Sequence, residues 1–198
     1  MSAAALDRAR IVLKSSSMTN AASRPRYLRR FVGALLLDPA AYEDVEADRH
    51  ATVQACATVL LAAVAEGVAL RNVIGPASIA LMTVAALLGW AAWALLTFEV
   101  GARLLPGART HSDVGELLRT LGFAAAPGSI AFLSLVPGLT MPILAFTRTW
   151  MLLAMVVAVR QALDYTSTWR AVAVCVVGWL LTSAMILALA YFGATTVS

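Results

Sequence analysis

The chain has 198 residues, of which 61% are hydrophobic types and only 13% are charged. Soluble domains average about 45–50% apolar and about 25% charged residues. A globule with so few charges cannot cover its surface with polar groups. The composition therefore excludes a typical soluble enzyme, a disordered chain and a nucleic-acid-binding domain. We expect an all-α integral membrane protein whose main contact is the lipid bilayer.

The first 25 residues carry charges but lack the apolar core of a signal peptide. Ser, Thr, Asn and Ala dominate residues 15–23. We expect residues 1–25 to form a disordered cytoplasmic tail, with Met18 as an alternative start to Met1.

Residues 26–50 form the predicted juxtamembrane segment. Its apolar residues recur at helical spacing: Tyr27, Leu28, Phe31, Val32, Leu35 and Leu36. Arg26, Arg29 and Arg30 lie toward the other face of this short amphipathic helix, which is too short to cross a bilayer. Two interpretations stay open. The helix rests on the cytoplasmic leaflet with these arginines near anionic headgroups, or it packs on the cytoplasmic face of the protein itself.

Five apolar segments are long enough to cross a bilayer, which takes about 20 residues of helix. They cover residues 51–70, 77–98, 118–136, 141–159 and 171–192. Pro137 and Gly138 mark a very short turn that makes the third and fourth segments a tight helical hairpin. The sequence therefore predicts a bundle of five transmembrane helices over residues 51–193.

Basic residues fall on one side of this arrangement. Eight precede the first span: Arg8, Arg10, Lys14, Arg24, Arg26, Arg29, Arg30 and Arg49. The loops after the second and fourth spans are also basic, whereas the opposite side has only Arg71. Lys and Arg concentrate in cytoplasmic loops. We therefore expect a multi-pass protein of the cytoplasmic (inner) membrane, with its N-terminus inside the cell and its C-terminus outside.

Glu66 and Arg148 are the charges that lie within predicted spans. A charge at the bilayer centre costs about 2.5–3.5 kcal/mol on insertion scales and indicates a functional role by default. Both residues fall in the outer half of the membrane at similar depth, which makes them a candidate intramembrane ion pair. They could simply neutralise each other, form a relay point for a proton or substrate, or not meet at all. Arg71 is a rival partner for Glu66.

Pro127 lies in the middle of the third predicted span. Because proline lacks a backbone donor, we expect it to kink this helix. Gly122 and Ala126 offer small-residue faces for close helix packing. The segment serves either packing or a moving hinge.

Several short motifs resemble the Ypt-interacting-protein (Yip) domain family in its bacterial form. The stretch 115–127 contains Gly122, Phe123 and Pro127, where the family shows Gly-Tyr followed by proline at its third span. The sequence Leu-Asp-Pro-Ala-Ala-Tyr at 37–42 resembles the juxtamembrane stretch of bacterial members, and Arg170-Ala171 resembles the start of their fifth span. The resemblance implies five spans, a cytoplasmic N-terminus and no known enzymatic activity.

The sequence lacks the common catalytic and ligand-binding motifs. It has no Gly-rich phosphate loop, no Cys/His cluster and no Gly-x-Ser-x-Gly nucleophile elbow. Cys56 and Cys175 are isolated in apolar runs and behave as small hydrophobes. We expect no catalytic residue, no cofactor and no metal.

Two functions fit these expectations. In the first, a non-enzymatic Yip-like protein organises protein or lipid partners through its cytoplasmic loops. In the second, the chain is a small transporter or channel component that uses Glu66 and Arg148. Five short helices leave little room for a pathway in a monomer, so the second function implies a homo-oligomer.

Overall fold

The computed structural model describes residues 26–104, 113–136, 138–178 and 180. The predicted tail over 1–25 lies outside these residues. The described parts contain helices and turns and no strand, which confirms the all-α prediction for them.

Two short helices precede the bundle. Helix α1 covers residues 26–35, and α2 covers Pro39–Glu46. Asp38 caps α2 by accepting a hydrogen bond from the Ala40 N–H at 3.0 Å, and Pro39 occupies the first turn, where its missing donor is harmless. Between the two helices Leu37 adopts a positive φ of 61°, so the chain reverses direction and the two helices pair side by side.

The bundle begins with α3 (Ala51–Ile74) and α4 (Ser78–Phe98), which a π-helical stretch extends over Glu99–Leu104. Helix α5 covers Val114–Phe123, a 3-10 helix covers Ala126–Leu135, and α6 covers Thr140–Ala162. Helix α7 is described over Thr168–Gly178.

Four helical segments of the described chain are long and apolar enough to cross a membrane. They are Ala51–Arg71, Met82–Gly101, Val114–Leu135 and Thr140–Ala162. They correspond to the first four predicted spans. The predicted fifth span at 171–192 lies largely outside the described residues, so the count of five stays a prediction.

The third span is not a single kinked α-helix but two helical segments of different winding. Helix α5 ends at Phe123, and from Ala126 to Leu135 the chain continues as a 3-10 helix with Pro127 in its first turn. Proline cannot donate the bond that would continue α5, and the tighter winding tolerates its ring. Ten α-helical and ten 3-10 residues reach about 35 Å, which is enough for a hydrocarbon core of about 30 Å.

This third span lies at the centre of the bundle. In the apolar 18-residue window of this span, 67% of the residues are buried, against 22% in the corresponding windows of the second and fourth spans. Its glycines allow the close approach, because a Cβ added at Gly122 would lie 2.6 Å from the Ala55 Cβ, and one at Gly128 would lie 2.6 Å from the Ala62 Cβ. Helix α3 thus packs backbone to backbone along both halves of the span.

Candidate functional site

The two charges within the spans meet. The Arg148 guanidinium donates to Glu66 Oε2 at 2.9 Å. Glu66 lies eight residues before the end of α3, and Arg148 lies eight residues after the start of α6. Both are therefore about 12 Å along their helices from the same end of the bundle. Arg71, the rival partner, is exposed near the end of α3.

The two partners differ in exposure. The Glu66 side chain is 10% exposed, whereas that of Arg148 is 60% exposed. Small residues surround Glu66 on its own helix, since Ala62, Ala63 and Ala69 are buried on the same side of α3. They leave room for a carboxylate inside the bundle, and Arg148 reaches it from the outer surface of α6.

A cavity of about 370 Å³ lies beside this pair, between α3, α4, α5 and α6. Its volume is at the lower end of the range for small-molecule sites, which is about 300–1,000 Å³. Most of its lining is apolar, and its largest members are Met82, Trp90, Trp93, Leu121, Met151 and Met155. Glu66 and Arg148 are the charged residues of the lining.

Two residues of this lining each carry a buried polar atom that lacks a hydrogen-bond partner. They are Glu66 Oε1, an acceptor, and Trp93 Nε1, a donor. By contrast, Trp90 donates its indole N–H to the Leu118 carbonyl at 2.9 Å. Buried polar atoms are nearly always hydrogen-bonded, and each exception requires an explanation. Both atoms are fully buried, so they face protein rather than the open space of the cavity.

The cavity reaches the surface of the described helices beside α4. Helix α4 packs on α3 and α5, while α6 packs on α5 and the 3-10 helix. Ala85 and Gly89 line the cavity and are exposed. They lie near the middle of α4, at the depth of the bilayer hydrocarbon.

The three arginines of the juxtamembrane helix bind carboxylates of α2. Arg26, Arg29 and Arg30 all donate to Asp44 in α2, at 2.8–2.9 Å. The Arg30 side chain is fully buried and also donates to Asp48 at 2.9 Å and to Gln54 at 3.0 Å. For Arg30 the structure therefore favours packing on the protein over contact with headgroups. Arg26 and Arg29 remain 51% and 72% exposed.

Hydrogen bonds from Arg30 hold the pKa of Asp44 well below its usual range, against the effect of burial and with further bonds from Arg26 and Arg29. The carboxylate stays ionised, so the cluster remains intact in all but strongly acidic solution. Together with the Trp150 indole, which donates to the Leu35 carbonyl at 2.8 Å, this cluster fixes α1 against the bundle.

A second polar cluster lies where α2 meets the start of α5. Arg119 donates to the Glu46 carbonyl oxygen at 2.9 Å. Burial, and after it the nearby carboxylates of Asp164 and Glu116, raise the pKa of the Glu46 carboxyl to about 7 against the attraction of Arg119. This group therefore titrates near neutral pH.

The motif residues of the third span have packing roles. Gly122 contacts α3, Pro127 begins the 3-10 helix, and the buried Phe123 ring lies 6.1 Å from the ring of Tyr27 in α1. They do not belong to the cavity lining, although Leu121 and Ala124 beside them do.

The sequence indicates the ion pair, whereas the aromatic and thioether walls of the cavity went unpredicted. Trp90 and Trp93 supply the aromatic wall. Their spacing of three residues, together with the spacing of four between Met151 and Met155, places each pair on one helix face. That spacing is the signal in the sequence from which these two walls could have been predicted. Among the described residues no group of three His, Cys, Asp or Glu side chains could hold a metal ion.

Comparison of the chain with models of protein families, with curated proteins and with solved structures finds no match. The resemblance to the Yip family gains no support from these comparisons and stays a hypothesis.

Proposed function

We propose that this protein is a non-enzymatic, multi-pass membrane protein that binds a small molecule inside its helix bundle, as a carrier or as a subunit of an oligomeric transporter. The observation that carries the proposal is a cavity of about 370 Å³ within the bundle whose wall includes the Glu66–Arg148 ion pair. A cavity that served only packing would be lined by apolar atoms, which need no partner.

The lining chemistry favours binding over catalysis. Its one carboxylate, Glu66, is already held by Arg148. Acid–base or nucleophilic catalysis needs a group positioned to take up a proton next to a reacting atom. The remaining lining side chains are aliphatic, aromatic or thioether groups, which contact a ligand without reacting with it.

The proposal includes the topology given by the basic loops, with the N-terminus in the cytoplasm and the chain in the cytoplasmic membrane. In that orientation the Arg30 cluster and Glu46 lie at the inner surface. The Glu66–Arg148 pair lies in the outer half of the bilayer, where a bound molecule can exchange with the outer leaflet.

Native mass spectrometry of the protein in lipid nanodiscs tests the proposal. We expect the wild-type protein to retain a bound small molecule that Ala86→Trp, which fills the cavity, loses. The matched control is Ala92→Trp, because Ala92 is exposed on α4 and is not part of the lining. Equal retention by both variants, or no bound species in the wild type, would contradict the proposal.

A second candidate is an organiser of partners at the cytoplasmic face. The observation that favours it is Trp169, which is 81% exposed at the start of α7. In-cell photo-crosslinking from position 169 tests it, with Leu152, an exposed residue in the middle of α6, as the control position. A protein captured from 169 but not from 152 would support this function, and lipid adducts alone at both positions would contradict it.

A further inference from the structure

The polar side chains of the cavity lining differ in what they offer a ligand. Glu66 Oε1 is fully buried, and Glu66 Oε2 accepts a hydrogen bond from Arg148 at 2.9 Å. The Trp93 indole nitrogen is fully buried as well, and the Trp90 indole N–H is donated to the Leu118 carbonyl. The polar atoms of these three side chains are therefore buried or already hydrogen-bonded. Arg148 is different, because its side chain is 60% exposed.

The Arg148 guanidinium has donors left for a second acceptor. A guanidinium carries five N–H groups and no acceptor. Toward the described residues Arg148 donates from Nη2 alone, to Glu66. Its remaining donors suit negatively charged oxygen atoms, because hydrogen bonds between ionised groups are about twice as strong as neutral ones. The exposed polar group of the lining thus favours a carboxylate or a phosphate over a neutral head group.

Binding of two oxyanions by one guanidinium already occurs in this chain. Arg30 donates to Asp44 at 2.8 Å and to Asp48 at 2.9 Å. The planar fork of arginine makes this possible, since its donors point in several fixed directions. Arg148 can therefore hold an anionic head group without releasing Glu66.

The position of Arg148 on its helix also suits an anionic head group. Its Cα lies about 12 Å from the start of α6 at Thr140. Side chains on a helix lean toward the N-terminus, which here is the near end of the bundle. The guanidinium therefore lies closer to that end than the Cα does. Long basic side chains reach the membrane surface in this way, and a negative charge is less costly there than at the bilayer centre.

The remaining walls fit an apolar body. Met82, Met151 and Met155 line the cavity from α4 and α6. Methionine side chains are flexible and polarisable, and they adapt to apolar groups of differing shape. A sugar or an amino acid would turn further polar groups toward these walls, where they would lack hydrogen-bond partners. A hydrocarbon chain needs none.

We propose that the cavity binds an anionic amphiphile, whose carboxylate or phosphate oxygens accept hydrogen bonds from Arg148 and whose hydrocarbon chain lies against the methionine walls. This inference rests on the proposed function and adds the chemical class of the ligand. A fatty acid and a phospholipid both offer this combination of head and chain, and the experiment distinguishes these two sources.

Native mass spectrometry of the full chain in micelles of a neutral glycoside detergent tests the inference. The protein would be titrated with an alkyl carboxylate, an alkyl phosphate and a neutral alcohol of the same chain length. We expect at least one of the two anions to bind about tenfold more tightly than the alcohol. A preference for the carboxylate would indicate a fatty acid, and a preference for the phosphate would indicate a phospholipid.

Variants of the ion pair assign this preference to Arg148. Arg148→Gln should lower the affinity for the anion about tenfold, to that of the alcohol. Arg71→Gln is the matched control, because Arg71 is an exposed arginine near the same end of the bundle and outside the lining. Glu66→Gln should instead raise the affinity for the anion severalfold, since it removes a repelling charge and frees a donor.

The double variant of Glu66→Gln with Arg148→Gln shows whether loss of binding is loss of folding. It leaves no charge of the pair without a partner, so we expect it to bind the alcohol as the wild type does. It should bind the anions no better than the alcohol.

The outcomes separate this inference from the function on which it rests. Equal binding of the alcohol and the anions, lost in Ala86→Trp, would overturn the anionic head and leave the binding function standing. A preference for anions that survives in Arg148→Gln, or weaker binding of anions by Glu66→Gln, would overturn the assignment to Arg148. Binding of all three probes that is unchanged in Ala86→Trp, or no binding of any probe, would refute both.

Discussion

Arg148 Nη2 lies 2.9 Å from Glu66 Oε2, and the two residues stand eight positions from the ends of their helices on the same side of the bundle. The contact joins α3 to α6, which otherwise contact each other little because α5 and its 3-10 continuation separate them. It is therefore both a structural link across the central span and the polar wall of the cavity.

The energetics of this pair should be coupled and unequal. Arg148→Met removes the partner of the Glu66 carboxylate, and Glu66 is only 8% exposed. We therefore expect this variant to lose about 2–4 kcal/mol of stability. Glu66→Gln should cost less, because the Arg148 side chain is 60% exposed and can turn toward the membrane surface. The double variant should lose about 1–2 kcal/mol less than the sum. Equilibrium unfolding in detergent micelles measures all three, and additive losses would show that the pair does not interact.

Arg30 should be the main anchor of α1. Its buried side chain binds Asp44, Asp48 and Gln54, so Arg30→Met leaves buried polar groups unsatisfied and should cost about 3–5 kcal/mol. Arg29→Met is the matched control, since this exposed pair with Asp44 contributes under about 1 kcal/mol. Hydrogen exchange should show loss of protection over residues 26–35 in the first variant only.

Arg30→Lys distinguishes shape from charge at this position. Lysine keeps the positive charge but cannot reproduce the planar fork that donates to three side chains at once. We expect an intermediate loss of stability. Wild-type stability in Arg30→Lys would mean that the charge alone fixes α1.

The ion pair could be predicted from sequence because membrane depth is a one-dimensional quantity. Counting residues from the ends of the spans places Glu66 and Arg148 at similar depth, and the cost of an unpaired charge supplies the reason to pair them. The surrounding cavity could not be predicted in this way. Its lining comes from four helices whose mutual rotation depends on packing details such as the contact between Gly122 and Ala55.

The juxtamembrane segment shows a different limit. The spacing of its apolar residues predicts a short amphipathic helix with the arginines on its other face, and it leaves open whether that face meets headgroups or the protein. The partners of Arg30 are Asp44 and Asp48, which reach it only because the chain reverses direction at Leu37 with a positive φ. A non-glycine residue in that conformation is uncommon, and the sequence carries no signal for it.

Gly122 should be required for the approach of α3 to α5. A Cβ at this position would lie 2.6 Å from the Ala55 Cβ and 3.2 Å from its Cα, and a backbone atom cannot move aside as a side chain can. We expect Gly122→Ala to lower stability by about 1–3 kcal/mol through overpacking. Gly89→Ala, where a Cβ meets nothing within 4 Å, should be neutral or gain up to about 1 kcal/mol from helix propensity. Thermal unfolding that ranks the two variants in the opposite order would contradict this packing argument.

Glu46 should make stability depend on pH near neutrality. Its carboxyl has a pKa of about 7 in the folded protein, against an ordinary value of 4.5, so the folded state holds its proton more tightly than the unfolded state does. This contribution to stability is fully present below pH 4.5 and is lost as the pH rises to about 7 and above. The unfolding free energy of the wild type should therefore fall across this window, and Glu46→Gln should flatten the fall.

Asp164→Asn provides the control for the cause of this pH dependence. Asp164 is the largest electrostatic contributor to the raised pKa of Glu46 after burial, and asparagine tolerates the positive φ of 49° at this position. Removing its charge should lower the pH at which the fall ends and make the fall smaller without abolishing it. If the fall stays where it is in Asp164→Asn and persists in Glu46→Gln, a different group titrates in this range and the assignment to Glu46 is wrong.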